Sequence, residues 1–222
     1  LVRPERLGEK LRAISVTGFS TFFVDVAMGI LTVLFNRQIM RWLGSDAMAV
    51  YGPIIQISTF AQCCAYSVGQ AAQPILSTNY GAGNAARIRK TLFLALGTSM
   101  AFAAFWTRLS ELAPGLYIRI FMRPTDAILA IAPSIIRRYG VSFILLPVNI
   151  FSTYYFQSIL RPKDSFIVSI ARGLVVSGLL IFALPAIFAP DSIWWAMPLT
   201  ELVTFAYAGF AMRRDTRALP QN

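Results

Sequence analysis

Apolar residues dominate the chain from position 49 to position 77, a run too long for the core helix of an ordinary soluble domain. Similar runs recur along the rest of the sequence. An apolar helix needs roughly 20 residues to cross the hydrocarbon core of a bilayer. Six segments meet that length: residues 13–36, 49–76, 88–109, 134–158, 165–188 and 192–212. The fold class expected is therefore all-α, a polytopic membrane protein built as a six-helix bundle. Composition agrees, since the chain is 56% hydrophobic and only 14% charged. A soluble domain carries about 25% charged residues.

Charge placement gives an orientation. With both termini on the cytoplasmic side, thirteen Lys and Arg residues fall inside and seven outside. The inside set includes Arg87, Arg89 and Lys90 after the second segment, and Arg161, Lys163 and Arg172 around the fourth and fifth. The net charge of +10 is thus a topology signal in short loops, not a nucleic-acid footprint. On this reading Arg172 snorkels to the cytoplasmic interface. Trp194 and Trp195 mark the interface near the last segment.

Residues 111–133 are less regular, interrupted by Pro114, Gly115 and Pro124. Residues 116–122 suit either a short interfacial helix or an external loop. Among the prolines inside segments, Pro147 lies mid-segment and is the best hinge candidate; a static kink is the alternative.

Two acids fall within apolar sequence. Asp25 lies near the middle of the first segment, where an uncompensated charge costs several kcal/mol. Thr17, Thr21, Asp25, Thr32 and Asn36 recur at helical steps, which puts them on one face. That face suits a cation or proton site on a wet pathway; a buried acid bonded to another helix is the structural alternative. Glu201 lies in the last segment, either as a second pathway group or as an inter-helix hydrogen-bonding residue. The second segment carries Gln56, Thr59, Cys63, Tyr66, Gln70 and Gln73 in steps of three or four. The fourth carries Ser142, Asn149, Thr153 and Gln157, with Tyr154, Tyr155 and Phe156 beside them as aromatic substrate contacts or lipid-facing packing. Amides in hydrocarbon need partners, so these stripes line a cavity or join helices.

Several chemistries are excluded. There is no histidine, and Cys63 and Cys64 are adjacent. That leaves no zinc framework, no Ser-His-Asp triad and no expected disulfide. No cluster of convergent acids or nucleophiles suggests an enzyme. The chain does not begin with Met, and a fragment of a longer protein is the expectation.

The words GQAAQP and NYGAGNAARIRK, within residues 69–90, resemble the loop between the second and third helices of the C-terminal half of MATE (multidrug and toxic compound extrusion) transporters. AVYGPIIQI at residues 49–57 resembles the start of that half's second helix. Tyr155–Gln157 with Arg161–Lys163 resembles the end of its fourth helix and the cytoplasmic turn. Arg172 and Pro185 fit the fifth helix, and Trp195, Pro198 and Glu201 the sixth. The resemblance implies one six-helix lobe of a twelve-helix transporter in the cell membrane, with an N-terminal lobe as its missing partner. It implies efflux of small organic cations by exchange with protons or sodium, and no cofactor. Family members place acids on the first and fourth helices of this lobe. Asp25 stands for the first, and the fourth helix here has none. A lipid-linked sugar flippase of the broader superfamily, or a half without transport of its own, are the alternatives.

Overall fold

The computed structural model describes the backbone of residues 7–219 and the side chains of residues 26–219. Nine α-helices follow one another among the described residues, with no strand: α1 (Leu7–Trp42), α2 (Gly44–Gly81), α3 (Ala85–Leu112), α4 (Pro114–Phe121), α5 (Asp126–Gly140), α6 (Leu146–Ser158), α7 (Pro162–Ile170), α8 (Val176–Ile187) and α9 (Ala196–Arg217). Short irregular turns join some of these into longer rods. A 3-10 turn, Val141–Ile144, links α5 to α6, and a π-helical turn, Ala171–Val175, links α7 to α8. A 3-10 turn over Pro190–Trp195 leads into α9. The result is six long helical units and the short α4.

Three units are long and apolar enough to cross a membrane by length and composition: Ala85–Leu112, Asp126–Ser158 and Pro162–Ile187. Helix α2 is longer than any of these but less apolar, because of its glutamines and hydroxyls.

Local chemistry explains the punctuation. Helix α2 ends at Gly81, and Gly83 takes a left-handed φ of +68°. Asn84 then caps α3, its side chain accepting from the Arg87 amide at 3.1 Å. Gly83 alone supplies the left-handed turn there; Gly81 remains helical. The expected fourth segment begins earlier than residue 134. Thr125 caps α5 at Asp126, and the rod continues through Pro133 without a break. Its break falls instead at the 3-10 turn, so Pro147 sits in the first turn of α6, where the missing amide costs no helical bond. Residues 114–121 form the short helix α4. Tyr117 and Ile118 face inward and Ile120 is 62% exposed. The Tyr117 hydroxyl is 2.9 Å from that of Ser110, which seats α4 against α3, and burial raises the Tyr117 pKa.

Two apolar clusters fill the bundle. One is rich in aromatics, with Phe35 stacked on Tyr51 at 4.8 Å between ring centroids and Trp194 set 6.2 Å from Tyr51. Trp194 is thus an interior residue, fully buried, and only Trp195 remains exposed. The other cluster gathers Leu76, Ile88, Phe151, Tyr155, Phe156 and Met212. Tyr155 and Phe156 are fully buried, so they are core packing and touch neither lipid nor substrate. Tyr154 packs its ring against the backbone of Gly69, where a Cβ would collide with it. The absence of a side chain at Gly69 is what lets α2 and α6 approach.

Candidate functional site

The polar residues divide into an open face and a closed centre. On α2, Gln56, Thr59, Cys63, Tyr66, Ser67 and Gln70 all lie on the exposed side, opposite Ile54, Ile57, Ala61, Ala65 and Gly69. The Thr59 and Ser67 hydroxyls donate back to carbonyls one turn earlier, at 2.9 Å each. Their polarity is satisfied within the helix. Tyr66 packs edge-on against Tyr154 of α6, with ring centroids 6.4 Å apart, and no described element covers the rest of the stripe. Gln73 differs, being half-buried and donating to Gln157 at 3.4 Å, a link between α2 and α6. Thr32 is exposed on α1 and donates to the Met28 carbonyl at 3.0 Å. Asn36 is half-buried. Thr21 and Asp25 lie on α1, but their side chains are outside the described residues.

The closed centre joins three rods. Glu201 of α9 is fully buried. Its Oε1 accepts from Arg172 Nε at 2.7 Å. Its Oε2 accepts from Asn149 Nδ2 at 2.7 Å, and the same amide donates to the Glu201 carbonyl at 2.8 Å. Because both partners are acceptors, the amide orientation of Asn149 is fixed by chemistry. Arg172 stands on the π-helical turn, with its side chain 12% exposed. It does not snorkel to the cytoplasmic interface. Its guanidinium turns inward because Glu201 neutralises it, and a charge-assisted pair in a dry interior outweighs the path to the surface. Tyr66 and Tyr139 lie within electrostatic reach of the same guanidinium.

On α9 Glu201 falls between residues that feed the two apolar clusters, and on α6 Asn149 lies two residues before the change from one cluster to the other. Leu146 and Ile150 belong to one and Phe151 and Tyr155 to the other; Ala196 belongs to the first and Ala208 to the second. The ion pair therefore sits at the waist of the bundle. Of the two readings open for Asn149 and Glu201, a lined pathway or bonding between helices, the contacts made inside the bundle are bonds between helices. Sequence periodicity located each of them but not their union with Arg172, whose position near a charged turn read as interfacial.

A second charged cluster closes one end. Arg214 contacts Asp164 at 3.2 Å and Asp215 at 2.9 Å, and Tyr207 donates to Asp164 at 2.6 Å. The hydrogen bond to Asp215 raises the Arg214 pKa. This cluster ties α7 to the end of α9 and is structural in kind. Among the described residues no group of His, Cys, Asp and Glu is placed to hold a metal ion. A concavity of about 540 Å³ lies along α3 at Ala101, Phe105, Arg108 and Leu112. It is apolar and remote from the ion pair.

The model of the MatE family matches residues 19–182. No curated protein shows significant sequence similarity. An outward-facing multidrug resistance MATE family transporter of the MOP superfamily aligns with a TM-score of 0.85 at 18% identity, covering 99% of this chain and 49% of that one. A MOP superfamily transporter from Pyrococcus furiosus, described as having a binding pocket of reverse polarity, aligns with a TM-score of 0.83 at 19% identity, covering 99% and 49%. An inward-facing MATE family transporter aligns with a TM-score of 0.81 at 19% identity, covering 98% and 50%. At these identities the likeness establishes the fold. The chain spans about half the length of the solved proteins it matches.

Proposed function

The chain belongs to the MatE family, and from that premise we propose that it forms the C-terminal lobe of a secondary transporter that exports small organic cations in exchange for protons or sodium. The observation that carries this reading is the uncovered stripe on α2. Gln56, Thr59, Tyr66 and Gln70 stand on a helix of membrane-spanning length and face outward. Amides left in hydrocarbon are costly, so the stripe requires either a second lobe or water against it. A central cavity between two lobes supplies both. Half coverage of the solved transporters supports a missing N-terminal lobe as the partner.

In this reading the six units cross the cell membrane over residues 13–36, 49–76, 88–109, 134–158, 165–188 and 192–212, with both termini cytoplasmic. The turn at Gly83, followed by Arg87, Arg89 and Lys90, then lies inside. Asp25 is the ionisable group of the pathway, holding a proton, a sodium ion or the cationic substrate in turn. Thr21, Thr32 and Asn36 share its helix face. Coupling follows if the competing ligands differ in affinity between inward- and outward-facing states.

A flippase for a lipid-linked sugar would need a net positive cavity for phosphate. Arg172, in the closed centre, is already neutralised by Glu201, which supports the cation reading. Export of a fluorescent organic cation from cells expressing the full-length protein tests it. Asp25→Asn is expected to abolish coupled export, and Gln70→Leu to weaken it. Transport and ion dependence unchanged in Asp25→Asn would remove Asp25 from the mechanism. Export of an anionic lipid-linked sugar in place of cations would overturn the substrate class.

A further inference from the structure

The centre of the lobe has the composition of a cation site: a fully buried carboxylate, a carbonyl beside it, and an amide that fixes the carboxylate from one side. We propose that Glu201 and Asn149 form a cation site that the chain fills with its own Arg172, and that a free guanidinium-type cation takes the same place when the Arg172 side chain is removed.

Three observations favour an exchangeable site over a merely static ion pair. The first is the open valence of Asn149. Its Nδ2 serves both acceptors on Glu201, which leaves Oδ1 enclosed with no partner among the described residues. An enclosed acceptor without a donor is uncommon and costs stability. The tethered guanidinium of Arg172, bonded at Oε1, makes no bond to it, whereas a free cation in the same space can shift and has N–H donors to spare for it. The second is the backbone at Arg172. The π-helical turn Ala171–Val175 interrupts the regular ladder of the rod at the residue that supplies the charge. Such turns mark places where a helix has been re-aimed, often at functional sites. The third is access. The Arg172 side chain is 12% exposed while that of Glu201 is fully enclosed. The volume that Arg172 occupies is therefore a path from the surface to the carboxylate. Removing the side chain opens that path.

The donor set selects the ligand. Around Oε1 the bond comes from one planar N–H, and Oε2 is already held by an amide N–H. Within this set the acceptors for a cation are Glu201 Oε1 and Asn149 Oδ1. A hard alkali cation prefers a shell of several oxygens. A planar guanidinium or amidinium is held by one carboxylate oxygen and one further carbonyl, to which it donates in its own plane. The matching class is therefore a small planar cation with several N–H donors. In the intact chain the tethered arginine excludes it, and the core stays neutral without any ion from solution.

The test is thermal unfolding of the full chain in detergent, in buffers of equal ionic strength containing choline, sodium, potassium or guanidinium chloride, the last far below its denaturing range. The readout is stability, so it stands apart from transport. Unsubstituted protein is expected to melt at one temperature in all four salts. Arg172→Ala leaves a buried carboxylate unpaired and is expected to lower Tm by roughly 10 °C in choline. Guanidinium should restore about half of that loss by mass action, with sodium and potassium ineffective. The double variant Arg172→Ala/Glu201→Gln removes the charge and should show no response to guanidinium. Failure of guanidinium to raise the Tm of Arg172→Ala overturns the proposal. Equal rescue by sodium or potassium overturns the ligand class, and an equal response in the double variant overturns the role of Glu201. If Arg172→Ala yields no folded protein, Arg172→Gln is measured in the same way. If neither survives in choline, recovery of folded protein on extraction into guanidinium supports the site, and no recovery there overturns it.

Discussion

At the scale of the residue, Asn149 illustrates why a buried amide is worth keeping. One Nδ2 group donates to both the side chain and the backbone of Glu201. A hydrocarbon side chain of similar size would leave Oε2 of the buried carboxylate without its donor and the Glu201 carbonyl with its helical bond alone. Asn149→Leu is therefore expected to destabilise the protein by about 1–3 kcal/mol, a fall in Tm of several degrees for a chain of this length. Asn149→Asp should be worse, because it faces a second carboxylate toward Glu201 in a dry site. Thermal melts of the two variants side by side give the order; Asp melting above Leu would contradict the geometry. Asn84 acts at the surface by the same logic on a smaller scale. Its side chain holds the Arg87 amide, and Asn84→Ala should cost about 1 kcal/mol, with little effect beyond the start of α3.

At the scale of the element, the interruptions matter as much as the helices. The 3-10 turn at Val141–Ile144 and the π turn at Ala171–Val175 lie on the two rods that supply Asn149 and Arg172. Neither is legible from apolar periodicity, which reports a long segment and passes over a change of helical pitch. The long helices themselves were legible, because membrane-length apolar runs admit few other folds. The polar stripe on α2 was legible too, since glutamine and threonine at steps of three and four define a face. What failed was partnership. Basic loops surround Arg172 in the sequence, and tryptophan is common at membrane interfaces, so local pattern points Arg172 and Trp194 outward. Both face inward because of residues far away in sequence, Glu201 in one case and Tyr51 with Phe35 in the other. Close packing of α2 on α6 also depends on a distant pair, Gly69 and the Tyr154 ring. Gly69→Ala must displace that ring or part the helices. It is expected to cost about 1–3 kcal/mol by overpacking, and Gly69→Ala combined with Tyr154→Ala should recover part of the loss in a double-mutant cycle of melts. Strict additivity would place the two residues out of contact.

At the scale of the whole molecule, the lobe has one side that its own helices leave uncovered, and the two cysteines report on it. Cys63 and Cys64 are neighbours in sequence with different surroundings. Cys63 is exposed among Thr59, Tyr66, Ser67 and Gln70, while Cys64 is half-buried on the groove with Ala101, Phe102, Phe105 and Trp106. Thiol alkylation needs the thiolate, and the thiolate needs water. If the stripe faces an aqueous cavity, Cys63 in the membrane-embedded full-length protein should react with a water-soluble maleimide. Cys64, on the apolar groove of α3, should not. Peptide mass spectrometry separates the two sites through Cys63→Ser and Cys64→Ser single variants. Adding an excess of a transported organic cation should slow labelling of Cys63, because the ligand and the reagent would share one cavity. Labelling of Cys64 alone would reverse the assignment of water and lipid to the two faces. Protection of Cys63 with and without the cation would mean that the second lobe packs against the stripe directly, and that the pathway runs elsewhere.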